Sequence, residues 1–116
     1  MGCALDNHAK WHALVDWCED NSDVAEFSGV LFNFTRKGES VLVHVACDKK
    51  NIKNLRKGCA EFIHSIFSGL EWCQMIIATV SVNNPSVYNL CLKLGFENCG
   101  MYDFERGAAN IMVIRR

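Results

Sequence analysis

Residues 80–100, VSVNNPSVYNLCLKLGFENCG, hold a strand end, a helix and the start of another strand in one continuous reading. Asn84 can accept backbone N–H groups as an N-cap, and Pro85 at the first helical position forfeits no hydrogen bond it would otherwise make. The helix this predicts covers residues 86–94. Val87, Leu90, Cys91 and Leu94 recur at three and four residues as one apolar stripe, with Asn89 and Lys93 on the other side. Gly95 ends it, because a glycine just past the last periodic position enters the left-handed conformation at little cost. Phe96 supplies the hydrophobic contact that accompanies such a cap. Upstream, residues 73–82 (CQMIIATVSV) are rich in β-branched side chains and nearly continuous in apolar character, which suits a strand covered on both faces.

Working outward, Asp6 or Asn7 caps a predicted helix reaching about residue 19, with Trp11, Leu14, Val15 and Cys18 on one face, and Asn21-Ser22-Asp23 ends it. Two strands follow, over about residues 26–35 and 39–47, joined by Arg36-Lys37-Gly38 as a hairpin. A basic segment, residues 48–54, runs into a helix expected over about residues 52–67, where Ala60, Ile63, His64 and Phe67 recur at helical spacing and Ser68-Gly69 stops the pattern. Residues 96–104 and 109–114 read as a last hairpin around Arg106-Gly107. The order is α, β, β, α, β, α, β, β. A helix between two strands predicts a right-handed crossover and a sheet that is parallel at that point.

At 116 residues the expectation is a single domain with one core. A net charge of −1 gives no global attraction to nucleic acid or to an anionic membrane, so binding by charge must come from a local cluster. The seven cysteines, Cys3, Cys18, Cys47, Cys59, Cys73, Cys91 and Cys99, are odd in number and lack any Cys-x-x-Cys pair. They read as reduced thiols packed as small hydrophobes, and with no basic-then-apolar leader before Ala4 the expected setting is the cytoplasm.

Strand, Asn-x-x, helix, Gly-Phe, strand resembles the C-terminal motif of the GCN5-related N-acetyltransferases, the GNAT superfamily. Asn84, Val87, Leu90, Lys93, Leu94, Gly95, Phe96 and Gly100 carry the match. The resemblance implies an α/β (α+β) fold. Its mixed central sheet would have about five to six strands, helices on both faces and a V-shaped splay between the two central parallel strands. It further implies acetyl-CoA as co-substrate and a primary amine, on a small molecule or a protein, as acceptor.

In such proteins the coenzyme pyrophosphate lies on backbone N–H groups where the central helix begins, a position favourable to anions. The family's Arg/Gln-x-x-Gly-x-Gly/Ala run corresponds to Leu55-Arg56-Lys57-Gly58-Cys59-Ala60, which keeps Gly58 and Ala60 and has Leu55 where Arg or Gln is usual. Arg56, Lys57, Gly58, Cys59 and Ala60 are therefore the candidate phosphate residues, with Lys49, Lys50 and Lys53 adding charge. The alternative for this cluster is a solvated basic face; stacking aromatics are not interleaved with it, which argues against nucleic acid. The pantetheine arm would pair along the strand edge at Val43, Val45 and Cys47, where a backbone N–H meets the developing oxyanion.

His44 is the titratable side chain on that strand and the candidate general base, with a structural strand histidine as its alternative. Cys91 stands where the family carries the Tyr that protonates the departing thiolate; the alternative is a packed core cysteine. Asn84 and Tyr88 complete the catalytic candidates. His8 and His12 are one helical turn apart, but no third ligand is evident and no metal is expected.

The rival reading is a catalytically inactive binding or assembly protein on the same fold, with a protein partner or its own copy. It rests on a resemblance to compact, motif-altered bacteriophage proteins, some concerned with virion or head assembly, whose setting would be the host cytoplasm or the virion.

Overall fold

The computed structural model describes residues 22–46, 49–105 and 107–116. The helix expected over residues 6–19, with His8, Trp11, His12 and Trp17, lies outside these, as does Cys47.

The elements are β1 (Ser22–Phe27), β2 (Val30–Lys37), β3 (Ser40–Ala46), a 3₁₀ helix (Lys49–Asn54), α1 (Leu55–Gly69), β4 (Met75–Ser81), α2 (Pro85–Leu94), β5 (Glu97–Phe104) and β6 (Gly107–Arg115). Two expectations need correction. Residues 26–35 are not one strand: Ser28-Gly29 is a two-residue hairpin between β1 and β2, with φ of 53° and 80°, the positive pair that a type I′ turn demands. The apolar residues on either side of Ser-Gly hide the turn in the sequence. Likewise α1 starts at Leu55 rather than near residue 52, because the chain winds first as a tighter 3₁₀ segment.

The six strands form one mixed sheet in the order β1-β2-β3-β4-β6-β5, antiparallel throughout except for β3 and β4, which α1 joins as a parallel crossover. Paired residues share a face, so the register places Val30, Phe32, Phe34, Val41, Val43, Ile76, Ala78, Val80 and Met112 together on one side, all buried. Helix α1 lays Phe62 and Ile66 onto that side. The Phe62 ring stacks on Phe32 with centroids 4.5 Å apart and planes at 8°, and meets Phe27 and Phe34 edge-on. Helix α2 adds Cys91 to the same core, and Phe96 follows it inward. Both described helices thus cover one face of the sheet.

The ends of α2 are as the sequence predicts. Asn84 Oδ1 accepts the Val87 N–H at 3.3 Å, Pro85 is the first helical residue, and Gly95 has φ of +101° while its N–H reaches Leu92 O at 3.1 Å. The end of α1 has a cap the sequence did not announce. The Arg116 guanidinium donates to the carbonyl of Phe67, in the last turn of α1, and to those of Leu70 and Cys73 just beyond it, tying the helix end to the chain that follows.

Candidate functional site

The parallel pairing of β3 with β4 runs only from Ser40/Met75 to Val43/Ala78. Beyond that vertex β3 continues to pair with β2 and β4 continues to pair with β6, so the inner edges of the two strands part and face a gap. The gap widens into a cleft of about 360 Å³. Its walls are Val43, His44 and Val45 from β3, Ala78 to Ser81 from β4, Leu55, Cys59 and Ile63 from α1, and Asn84, Val87, Leu90, Cys91 and Leu94 from the α2 region.

No family model matches the sequence, and no curated protein does. Solved structures do match the fold. Spermidine N-acetyltransferase from Vibrio cholerae, a dodecameric structure, superposes with a TM-score of 0.64 at 15% identity over 74% of this chain and 56% of its own. Ribosomal-protein-S5-alanine acetyltransferase from Vibrio fischeri gives 0.67 at 13% identity over 74% and 53%. AAC(6')-Ib in complex with ribostamycin and coenzyme A gives 0.64 at 16% identity over 75% and 57%. The fold is the GNAT fold. The chain spans just over half the length of each of these structures.

On this GNAT frame the expected residues fall into two groups. Val43, Val45, His44, Cys59, Asn84 and Cys91 are gathered around the cleft. His44 pairs across β2 with Asn33, so its exposed imidazole lies on the sheet face that α1 and α2 leave uncovered, while Val43 and Val45 face the helices. Asn84 stands at the cleft with its side-chain oxygen engaged in capping α2. Cys91 is 8% exposed, and burial pushes its thiol above the ordinary value of 9.0. That keeps the proton on sulfur at neutral pH and also makes the thiol a weaker acid.

The second group lies away from the cleft wall. Tyr88 turns toward β5, where its hydroxyl accepts a hydrogen bond from Asn98 Nδ2 at 3.3 Å. Arg56, Lys57 and Ala60 are exposed on α1, and Gly58 is buried on its opposite side. A Cβ on Gly58 would sit 2.6 Å from the Phe27 carbonyl oxygen and 3.1 Å from Val30, so a glycine is what lets α1 dock on the β1–β2 turn.

The start of α1 carries no side-chain cap from Asn54 and no acidic residue in its first turn. Arg56 and Lys57 stand there instead, cations at the end of a helix that favours anions. The 3₁₀ segment that precedes it uses i→i+3 bonds, which occupy some amides that would otherwise stand free at a helix start.

Sequence reasoning did not single out Thr79 and Ser81, the polar residues of the β4 lip, and read Ile63, Leu90 and Leu94 from helical spacing without assigning them to a cleft wall. The alternation Ala78-Thr79-Val80-Ser81 was the available signal for the first pair, since every second residue there faces away from the core. Among the described residues no three His, Cys, Asp or Glu side chains are placed to hold a metal ion, and no helix is long and apolar enough to cross a membrane. Among the described residues, Cys73, Cys91 and Cys99 are free thiols.

Proposed function

We propose that this chain is an N-acyltransferase that moves an acyl group, acetyl in the simplest case, from a coenzyme A thioester to a primary amine. The observation that carries it is the wedge past Val43 and Ala78, where two neighbouring strands each present an unpaired inner edge. The amide groups of a pantetheine arm need such edges for hydrogen bonds, and a cleft of about 360 Å³ lies within the size range of small-molecule sites. Arg56, Lys57 and the first-turn amides of α1 are the groups that would meet the pyrophosphate. The reaction is direct attack by the neutral amine on the thioester carbonyl: the C–N bond forms, the C–S bond breaks, and coenzyme A leaves as its thiolate.

His44, on the helix-free side of the β3 edge, is the group suited to take the proton from the attacking amine. Cys91 is a poor donor to the leaving thiolate because burial raises its own pKa, so in this reading the thiolate takes its proton from water. Spermidine and ribostamycin, in the names of two structural neighbours, support an amine as acceptor.

The test is calorimetric titration with acetyl-CoA, followed by separation of coenzyme A and acylated product over a panel of primary amines. The separation avoids thiol dyes, which the protein's own cysteines would consume. Saturable binding and amine-dependent release of coenzyme A are expected; neither in the presence of the other's controls would overturn the proposal. A second reading, a binding or assembly protein such as one of a bacteriophage virion, is favoured by Leu55 and Cys91, which depart from the enzyme pattern. It predicts no response to coenzyme A.

A further inference from the structure

The sheet ends on β5, and this edge is unlike the one at β1. Residues 23–27 of β1 are all buried or half-buried, whereas every residue of Glu97–Phe104 is exposed. Met101, Tyr102 and Phe104 are 65%, 61% and 43% exposed, three of the seven large apolar side chains that stand in solvent among the described residues. Such side chains scattered singly are ordinary, but these fall within four consecutive residues, and the Tyr102 and Phe104 rings lie with centroids 4.8 Å apart. The strand has no lysine, arginine or proline, residues that keep an edge from pairing, and no described strand lies along its outer N–H and C=O groups.

The bulge between Asn98 and Met101 leaves Met101–Phe104 as the regular part of this edge. Tyr102 and Phe104 pair with Ala109 and Gly107, which places them on the sheet face away from α1 and α2, while Met101 and Asp103 lie on the helix face. Two identical edges related by a two-fold axis run antiparallel, and matching their faces leaves only registers two residues apart. With Asp103 on the axis, two carboxylates stand opposite each other. With Met101 on the axis, Phe104 meets Asn98 of the second copy, across the bulge and from the other face. With Tyr102 on the axis, Met101 faces Asp103 of the second copy, Phe104 covers Gly100, and four aromatic rings gather on the helix-free face.

We infer that β5 is a docking edge for a second copy of this chain, joined antiparallel about Tyr102 so that the two sheets become one. The two-fold closes after two copies, so the exposed edge is used up in a dimer and not repeated along a fibre. No β5 residue lines the cleft, and the inference stands apart from the acyltransferase reading.

The experiment is analytical ultracentrifugation of the full chain from micromolar to millimolar concentration, with amide exchange of residues 101–104 followed over the same range. A species of twice the 13.1 kDa chain mass is expected at the upper end, with those amides slowing as it forms. Tyr102→Lys, which sets two ammonium groups on the axis in place of two rings, should weaken association by about tenfold or more. Tyr102 is exposed, so the variant should keep its fold, and circular dichroism checks this; if it does not fold, the wild-type mass and exchange decide alone. A monomer at every concentration overturns the inference, as does a dimer whose β5 amides exchange no more slowly than the monomer's.

Discussion

Gly58 shows how one missing atom can set the geometry of a helix. Alanine at this position would gain about 1 kcal/mol of helix propensity but would press its methyl group into the Phe27 carbonyl, which sits in a hairpin and cannot swing aside. Overpacking of this kind costs about 1–3 kcal/mol, so after the propensity gain Gly58→Ala should lower stability by up to about 2 kcal/mol in urea unfolding. The buried thiols make a prediction in pH. Cys73 and Cys91 both have pKa values raised by burial above 9.0, so the folded state holds protons that the unfolded chain would release. Stability is therefore full below pH 9 and falls as pH rises above it, by up to about 1.4 kcal/mol per pH unit for each thiol. Thermal melts from pH 7 to 10.5 should show this decline, and Cys91→Ala should flatten it while lowering stability at pH 7.

At the scale of elements, the two helices are stopped by different means. α2 carries its own instructions, Asn84 and Pro85 at the start and Gly95 at the end, and each can be read locally. α1 borrows its C-terminal cap from Arg116, which arrives from the far end of the chain beside β4. Arg116→Ala leaves the Phe67 carbonyl and the two just beyond α1 without this donor and should cost about 1–2 kcal/mol, seen as faster amide exchange in residues 66–70 before the rest of the helix. Arg116→Lys should recover only part, because an ammonium cannot span three carbonyls as a planar fork does. The hairpin at Ser28-Gly29 belongs at this scale too: apolar residues flanking a turn dipeptide looked like one strand, and only the pairing of Phe27 with Val30 divides them.

For the whole molecule the decisive feature is a sheet that stays open on the helix side of one parallel pair. If the cleft takes coenzyme A thioesters, saturating acetyl-CoA should stabilise the protein by about 2.7 kcal/mol at a hundredfold excess over its dissociation constant. A melt unshifted by acetyl-CoA, with no heat on titration, would count against the proposed function. What the amino-acid sequence determined by itself is local: the caps and apolar stripe of α2, the extended character of β4, the hairpins after Lys37 and Phe104, and the chain order that makes β3 and β4 parallel. These follow from nearest-neighbour sterics and periodicity, which need no distant partner. What only the tertiary structure decided is where β3 and β4 part, that Tyr88 faces Asn98 while Cys91 faces the cleft, and that Gly58 serves packing against Phe27. Each depends on contacts between residues far apart in the chain, and a sheet's register and twist, not its strand sequences, set where two edges separate.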